Sequence, residues 1–228
     1  MNLSAVLAID QSIRAGFLEN ISSRDRHRIF EKAELVTVAA KNTIIQRGEP
    51  ASALFLLHTG RAKYARVTDN GKEILLWLIT PGDVFGLATI LDRPPGYIAT
   101  ATALADCEVV VWEHSAIVAL SKTHPELCKN ALRITLAYVA AYARRHGRLV
   151  SEPAHQRLAL TLVQVAHRSG EIHAAGVDVE ITNEQLGSLA DVGLFTTSRL
   201  LSEWERQGTI KKERGHIRIE TPEKLLAI

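Results

Sequence analysis

Cysteine is scarce in this chain of 228 residues, which holds only Cys107 and Cys128. Neither belongs to a Cys-x-x-Cys pair, and no cluster of cysteine and histidine surrounds them. A disulfide framework, a structural zinc site and a cysteine-bound iron–sulfur cluster each need more thiols than this. The sequence argues against all three and is typical of a reducing compartment, so we predict a cytoplasmic location.

Long apolar runs are also missing. No stretch of about 18 apolar residues occurs, which excludes a transmembrane helix. The first residues have no basic leader and carry Asp10 within their apolar stretch, so we do not expect a secretory signal peptide. No phosphate loop, nucleophile elbow or His-Glu-x-x-His motif is present, and we predict that the protein is not an enzyme.

What is present is an ordinary globular composition, with 46% hydrophobic and 23% charged residues, on a chain long enough for two domains. Short apolar or alternating runs divided by turn residues fill residues 35–113. They are Leu35–Val38, Asn42–Gln46, Ala53–His58, Ala62–Val67, Glu73–Ile79, Ala99–Leu104 and Glu108–Trp112. Asn70-Gly71 between two of them is a strong hairpin signal. This pattern predicts an antiparallel β-roll or barrel.

A long helix is predicted from Pro125 to Val150. Apolar positions spaced alternately by four and three residues form a heptad seam, for which the predicted dimer contacts are Leu132, Leu136, Val139, Ala143 and Val150. A second apolar edge runs through Leu127, Ala131 and Ile134. One edge would pack on the roll and the other on a second copy, which predicts a homodimer. A core helix within one large domain is the alternative.

Residues 181–208 have the pattern of a helix-turn-helix. Thr182 and Gln185 form a capping box at the start of the first helix, and Gly193 supplies the turn. The second helix opens near Thr196 and buries Leu200, Leu201 and Trp204. Pro153 ends the long helix before this region. We therefore predict a sensor domain at 1–123, a dimerisation helix and hinge at 124–152, and a DNA-binding domain at 153–228.

The outward face of the second helix presents Thr196, Thr197, Arg199 and Glu203. A guanidinium group matches O6 and N7 of guanine, so Arg199 is the predicted base-reading residue. Thr182, Gly193 and Thr196 are placed for phosphate contacts.

Basic charge in this half of the chain is local. Residues 151–228 hold nine lysines and arginines against eleven acidic residues, yet five of the nine lie within 206–218. Four of the five lie on or between two predicted strands, Thr209–Lys212 and His216–Ile219, that form a wing, and Lys211, Lys212 and Arg214 are its predicted DNA contacts.

The sequence as a whole resembles the Crp/Fnr family of catabolite-activator-like transcription regulators. The residues that carry the resemblance are Gly48-Glu49, Gly60, Gly71-Lys72-Glu73, Pro81–Gly86, Ala101–Val109, His124–Leu127 and Ile181–Leu201. The resemblance implies an α+β fold: a cyclic-nucleotide-binding type of antiparallel β-roll, a long dimerisation helix and a winged helix-turn-helix. It also implies double-stranded DNA and RNA polymerase as partners.

The sensor departs from the family members that bind cyclic AMP. Where they have a glutamate after the Phe-Gly turn, Leu87 follows Gly86. Tyr97 and Ile98 occupy the positions at which those members have the Arg-Ser pair that holds the phosphate. Tyr142 occupies one of the two positions whose residues contact the adenine. A buried phosphate without a cation costs several kcal/mol, which argues against cyclic AMP.

These five residues, Gly86, Leu87, Tyr97, Ile98 and Tyr142, are the predicted edge of an effector pocket. An apolar edge with two hydroxyl groups fits a small apolar or aromatic effector, or a filled core that needs none. Haem stays open as a cofactor, since four histidines offer axial ligands, although a lone histidine is more often a surface residue. These are His58, His114, His124 and His146.

The reading helix departs from the family as well. Leu194 and Phe195 replace a polar Arg-Glu pair, and Phe195 either contacts thymine methyl groups or packs inward. The function predicted is sequence-specific regulation of transcription, with a ligand-sensing module that acts through protein contacts as the alternative. The sequence is silent on the effector, the target DNA and the direction of regulation.

Overall fold

The computed structural model describes residues 16–71, 73–173, 176–213, 215–221 and 225. The chain divides into two compact units, Met1–Ala140 and Ala141–Ile228. Along the described ranges, no helix combines the length and the apolar character that a membrane crossing requires.

The first unit is built on eight strands in two antiparallel sheets. The strands are β1 (Glu34–Val38), β2 (Thr43–Ile45), β3 (Ala53–Thr59), β4 (Ala62–Val67), β5 (Glu73–Ile79), β6 (Val84–Phe85), β7 (Thr100–Ala103) and β8 (Cys107–Glu113). One sheet has the order β1-β8-β3-β6 and the other β2-β7-β4-β5. Each predicted run matches one strand to within one residue at either end, and the predicted β-roll is confirmed. Only the two-residue β6 was not predicted.

The hairpin at Asn70-Gly71 is confirmed, because β4 pairs with β5 on either side of it. Gly71 has a φ of 79°, in the left-handed region that glycine enters without steric cost.

Alternation along β3 divides the apolar residues of the roll between two cores. Leu54 and Leu56 point outward and pack with Trp112 and with helices. Leu57 points inward and packs with residues of the opposite sheet, among them Ala62 and Ala101. The period of two in a strand therefore fills both faces of this sheet.

Three helices accompany the roll: α1 (Ser23–Phe30), α2 (His114–Thr123) and α3 (Pro125–Ser151). The first half of α3 packs on the roll through Leu127 and Ala131, which are 0% and 4% exposed. Two turns further, the ring of Tyr138 meets Trp77 edge-on with 4.9 Å between ring centroids. The predicted second apolar edge is thus confirmed as the one that covers the roll.

The second unit holds α4 (Ala154–Ser169), β9 (Glu171–His173), β10 (Gly176–Glu180), α5 (Asn183–Ala190), α6 (Leu194–Arg206), β11 (Ile210–Glu213) and β12 (His216–Ile219). The strands form one antiparallel sheet in the order β11-β12-β10-β9. The break at Pro153 is confirmed, since α3 ends at Ser151 and α4 begins at Ala154. The helix-turn-helix and its wing are confirmed too, whereas β9 was not predicted.

Candidate nucleic-acid interface

The first helix of the motif, α5, begins with the predicted capping box. The backbone N–H of Gln185 donates to Thr182 Oγ1 at 3.1 Å, and the Thr182 N–H donates to Gln185 Oε1 at 3.0 Å. Two otherwise unsatisfied donors at the helix start are paired in this way. Thr182 itself is exposed, at a helix N-terminus, where a phosphate is favoured.

The turn between α5 and α6 contains Gly193, as predicted, but its left-handed residue is Asp191. Asp191 has φ 53° and ψ 45°. Gly193 has φ −63° and ψ 148°, which is extended backbone, and serves as the N-cap of α6. A non-glycine residue therefore takes a conformation that costs it about 1 kcal/mol.

Two arginines hold Asp191 in this conformation. Arg145, in the last turns of α3, donates from Nε and Nη2 to the two carboxylate oxygens of Asp191 at 2.7 and 2.9 Å. Arg157 on α4 donates from Nη2 to the Asp191 carbonyl at 2.9 Å. Sequence reasoning missed this network, because Arg145 lies 46 positions before Asp191 and no local pattern links them.

The same arginines satisfy the carbonyls at the end of α5. Arg145 Nη2 donates to Ser188 O at 2.6 Å, and Arg157 Nε donates to Ala190 O at 3.1 Å. Cations at a helix C-terminus are favoured by the helix dipole. The last turns of α3, together with α4, thus support the helix-turn-helix within the second unit.

The two helices of the motif approach closely at Gly187. A Cβ atom at this position would lie 2.6 Å from Thr197 Oγ1 and 2.7 Å from the Val192 carbonyl oxygen. No side chain fits there. The predicted outward position of Thr197 is corrected by the same contact: Thr197 is 0% exposed and its hydroxyl donates to Val192 O at 3.5 Å.

The remaining residues of α6 divide into two faces. Leu200, Leu201 and Trp204 form the predicted inner face and are buried. Phe195 and Arg199, four residues apart, are exposed on the outward face, and Thr196 beside them is half-buried. Of the two alternatives for Phe195, inward packing is excluded, since its side chain is 93% exposed. Within the described parts of the chain, Arg199 forms no salt bridge.

The wing is held by ion pairs that use part of its basic charge. Arg218 on β12 donates from Nε and Nη2 to the Asp178 carboxylate on β10 at 2.6 and 2.9 Å. This hydrogen bonding lowers the pKa of Asp178 and raises that of Arg218. The net positive charge that the wing offers to a partner is therefore smaller than the sequence implies.

Lys212 is also engaged within the domain. Its ammonium group donates to Ser202 Oγ at 2.9 Å and lies 3.2 Å from Glu205, while its backbone N–H lowers the pKa of Glu205. Lys212 thus ties the wing to α6, and its DNA contact stays a prediction. Lys211 is exposed. The predicted contact at Arg214 lies outside the described residues.

The predicted effector edge in the first unit does not come together as one surface. Tyr97 is 6% exposed and its hydroxyl is used twice by Ala53, accepting from the N–H at 2.9 Å and donating to the carbonyl at 2.8 Å. Ile98, the next residue, is 66% exposed, while Leu87 packs against the helical core outside the roll. Within the first unit these side chains therefore have different surroundings, while a Cβ atom at Gly86 would lie 3.4 Å from the Tyr97 ring, and the effector pocket stays a prediction.

Two further members of that edge differ in role. Gly86, with φ 78°, lies where a Cβ atom would meet the Ala53 carbonyl oxygen at 2.9 Å, so it lets the turn approach β3. Tyr142 belongs to the second unit and is 65% exposed.

The four histidines considered for haem lie on separate elements. His58 lies 4.0 Å from Glu108, His114 Nε2 lies 2.9 Å from the Leu91 carbonyl, and His124 Nδ1 lies 2.8 Å from Thr123 Oγ1. His146 is exposed on α3. In the portion of the chain that is described, no three side chains of histidine, cysteine, aspartate or glutamate are grouped to hold a metal ion.

Comparison with known proteins agrees with this architecture. Residues 35–124 match the cyclic nucleotide-binding domain family, and residues 156–228 match the Crp-like helix-turn-helix domain family. The CRP-like cAMP-activated global transcriptional regulator of Mycobacterium tuberculosis is 25% identical over 214 residues, covering 93% of this chain and 95% of that protein. The cAMP-activated global transcriptional regulator CRP of Haemophilus influenzae is 26% identical over 176 residues, covering 75% and 77%.

Solved structures share the fold. FixK2 from Bradyrhizobium japonicum aligns with a TM-score of 0.73 at 21% identity, over 85% of this chain and 95% of that one. The c-di-GMP responsive regulator CLP from Xanthomonas campestris aligns with a TM-score of 0.74 at 14% identity, over 87% and 99%.

A β-roll, a long helix and a winged helix-turn-helix together define a DNA-binding transcription regulator with a sensor-type domain. The chain belongs to the Crp/Fnr family, whose members are transcription regulators rather than enzymes. The resemblance seen in the sequence is confirmed.

Proposed function

We propose that this regulator binds a palindromic DNA site as a homodimer, with α6 in the major groove and Arg199 reading a guanine. The observation that carries the proposal is the division of α6: its inner face is buried, and the exposed Arg199 lies on the opposite face. A guanidinium group without a salt bridge to the described residues is free to form the bidentate contact to O6 and N7 of guanine.

Phosphate contacts would fix the register of α6 on the duplex. Thr182 at the start of α5, together with Gly193 and Thr196 at the start of α6, offers hydroxyl and N–H donors at helix N-termini. Lys211 on the wing, exposed and 3.9 Å from Glu213, adds a positive charge. These contacts supply affinity without sequence preference, so they should account for most of the salt dependence of binding.

The partner of the seam on α3 is a second copy of the chain. Leu132, Leu136 and Val139 are 58–60% exposed, and Val150 is 79% exposed. Apolar residues at heptad spacing on one helix are the contacts of a two-stranded coiled coil. A two-fold dimer would present two α6 helices to two half-sites.

The β-roll does not use cyclic AMP. The phosphate-binding arginine of the family is replaced by Tyr97, whose hydroxyl already bonds to both polar groups of the Ala53 backbone. An anion at this place would meet an aromatic ring where the family has an arginine, and a buried anion without a cation costs several kcal/mol. The regulator is either controlled by an uncharged effector or active without one. Calorimetric titration with cyclic AMP at 1 mM should give no binding heat, and saturable binding would contradict this part of the proposal.

The remaining parts of the proposal follow from the family. RNA polymerase is the machinery that a DNA-bound regulator of this type activates or blocks. The protein works in the cytoplasm, where the DNA is, and has no catalytic role.

The test of DNA reading is a selection of random duplex DNA by the purified full-length protein without added effector. We expect a palindrome with half-sites about 34 Å, or one helical turn, apart. Arg199→Ala should lose preference at one base pair per half-site, weakening binding by about 1–3 kcal/mol per half-site. Arg206→Ala, at the exposed far end of α6, is the matched control and should retain the preference.

Salt dependence separates this function from an interaction with protein alone. Binding to the selected site should weaken steeply between about 50 and 200 mM salt. Enrichment of no sequence by the wild-type protein, alone and with cell extract, would contradict the proposal.

A further inference from the structure

Phe195 is the most exposed large apolar residue among the described residues, at 93% of its full solvent exposure. Leu194 before it is 50% exposed. Aromatic side chains bury more surface than almost any other when they find a partner, and they are rarely left fully in water. An isolated phenyl ring on a surface needs no explanation by itself, but this one stands on the helix that reads DNA.

The position of Phe195 is fixed by the core of the domain. The buried Thr197, Leu201 and Trp204 orient α6, so the opposite side of its first turn faces outward. Residues four apart lie one above the other on a helix, which places Phe195 in line with Arg199. The N-terminal residues of a reading helix are those that meet base edges in the major groove.

The chemistry of the groove then limits what a phenyl ring can recognise. Oxygen, nitrogen and amino groups line the major groove, and the C5 methyl of thymine is the apolar group among them. A phenyl ring neither donates nor accepts a strong hydrogen bond, so it gains contact only at such a methyl group. At the other bases it would cover polar groups and gain no methyl contact in return, which disfavours them.

We propose that Phe195 is a specificity-determining residue that selects thymine by contact with its C5 methyl group, next to the base pair read by Arg199. The inference rests on the proposed DNA reading by α6 and names the base that this part of the helix prefers. A site chosen by the protein should therefore contain a thymine at a fixed distance from the guanine in each half-site.

The experiment removes the methyl group and nothing else. In the selected duplex, each thymine is replaced in turn by deoxyuridine, which keeps its base pairing, and binding of full-length protein is measured by fluorescence anisotropy. For the wild type, replacement at one thymine per half-site should raise Kd about fourfold, the change expected for about 0.8 kcal/mol per buried methyl group. The other thymines serve as internal controls and should change Kd little.

Variants assign the effect to the side chain. Phe195→Ala should bind the thymine and deoxyuridine duplexes equally, whereas Phe195→Leu, which keeps an apolar contact, should retain part of the difference. Ile172→Ala removes another large exposed apolar side chain, 86% exposed on β9, and should leave the wild-type difference unchanged. Because Phe195 is exposed, its replacement should leave the circular dichroism spectrum and melting temperature as they are.

The outcomes separate this inference from the function on which it rests. Specific DNA binding with no sensitivity to deoxyuridine, or with the same sensitivity in Phe195→Ala, would overturn the role of Phe195 and leave DNA reading intact. In that case the ring would be free to serve a protein partner. Failure of the wild type to select any site would instead overturn DNA reading, and this inference with it.

Discussion

At the scale of the residue, the geometry of the helix-turn-helix depends on Asp191 and Gly187. Asp191 enters the left-handed region, and the ion pair with Arg145 and the hydrogen bond from Arg157 offset the steric cost. Gly187 is needed for a different reason: its backbone is ordinary helix, but Val192 and Thr197 occupy the space of a side chain.

We expect Gly187→Val to destabilise the DNA-binding unit by about 2–3 kcal/mol, since overpacking between two helices forces the backbone at Val192 to move. Valine has a somewhat higher helix propensity than glycine, but the gain of a few tenths of a kcal/mol is smaller than the cost of overpacking. The measurement is thermal unfolding followed by circular dichroism. Gly193→Ser is the matched control, because a Cβ atom there meets nothing within 4 Å and serine is a favourable N-cap. Equal melting temperatures for the two variants would refute the prediction.

The residues that sequence reasoning misplaced share a physical cause. Thr197 has the spacing of the inner face, three before Leu200 and seven before Trp204, but its hydroxyl suggested an outward position. Its burial depends on a partner, the Val192 carbonyl, that only the folded turn provides. Arg199 was placed correctly on the outward face because helical periodicity favours that position, whereas for Phe195 the sequence left inward packing open.

At the scale of the element, the wing is fastened by side chains that cross between strands. Asp178 on β10 stands opposite Arg218 on β12 in the register of the sheet, and the two form a bidentate ion pair. Neighbouring histidines at 173 and 216 add to the lowering of the Asp178 pKa. The wing is therefore sensitive to the protonation of one carboxylate.

The sign of this dependence follows from the direction of the shift. Because the pKa of Asp178 is lower in the folded protein than its ordinary value of 3.8, the pair stabilises the fold above that value and is lost as the pH falls through the folded pKa. We expect Asp178→Asn to melt below the wild type at pH 7, and the difference to shrink as the pH falls below 3.8. In an Arg218→Gln background the same substitution should have little effect at either pH. A constant difference across this range would count against the ion pair.

The elements themselves were largely predictable. Turn residues bounded seven of the eight strands of the roll, and a capping box marked α5. β6 escaped prediction because two residues carry no periodicity, and β9 because its three residues are all exposed. The surroundings of the predicted pocket edge could not be foreseen for a related reason: a resemblance to known members fixes positions along the chain but not which side of an irregular segment faces inward.

At the scale of the whole molecule, α3 has to satisfy two apolar edges at once. One edge, which contains Leu127, Ala131 and Tyr138, packs on the roll. The other edge, from Leu132 to Val150, leaves four large apolar side chains 58–79% exposed within the chain. Covering these side chains with the same seam of a second copy would remove them from water and pair two DNA-binding units.

Leu136→Lys should separate the dimer, since a charge would face its own copy across the two-fold axis in the middle of the seam. Sedimentation should then report a monomer at concentrations where the wild type is a dimer. Ala137→Lys places the same charge one residue further, on an exposed position outside the seam, and should remain dimeric. The affinity for the selected palindrome should fall with Leu136→Lys, because each monomer then binds its half-site separately and loses its translational and rotational freedom on its own. A monomer that bound the full site as tightly as the wild type would show that the seam serves something other than dimerisation.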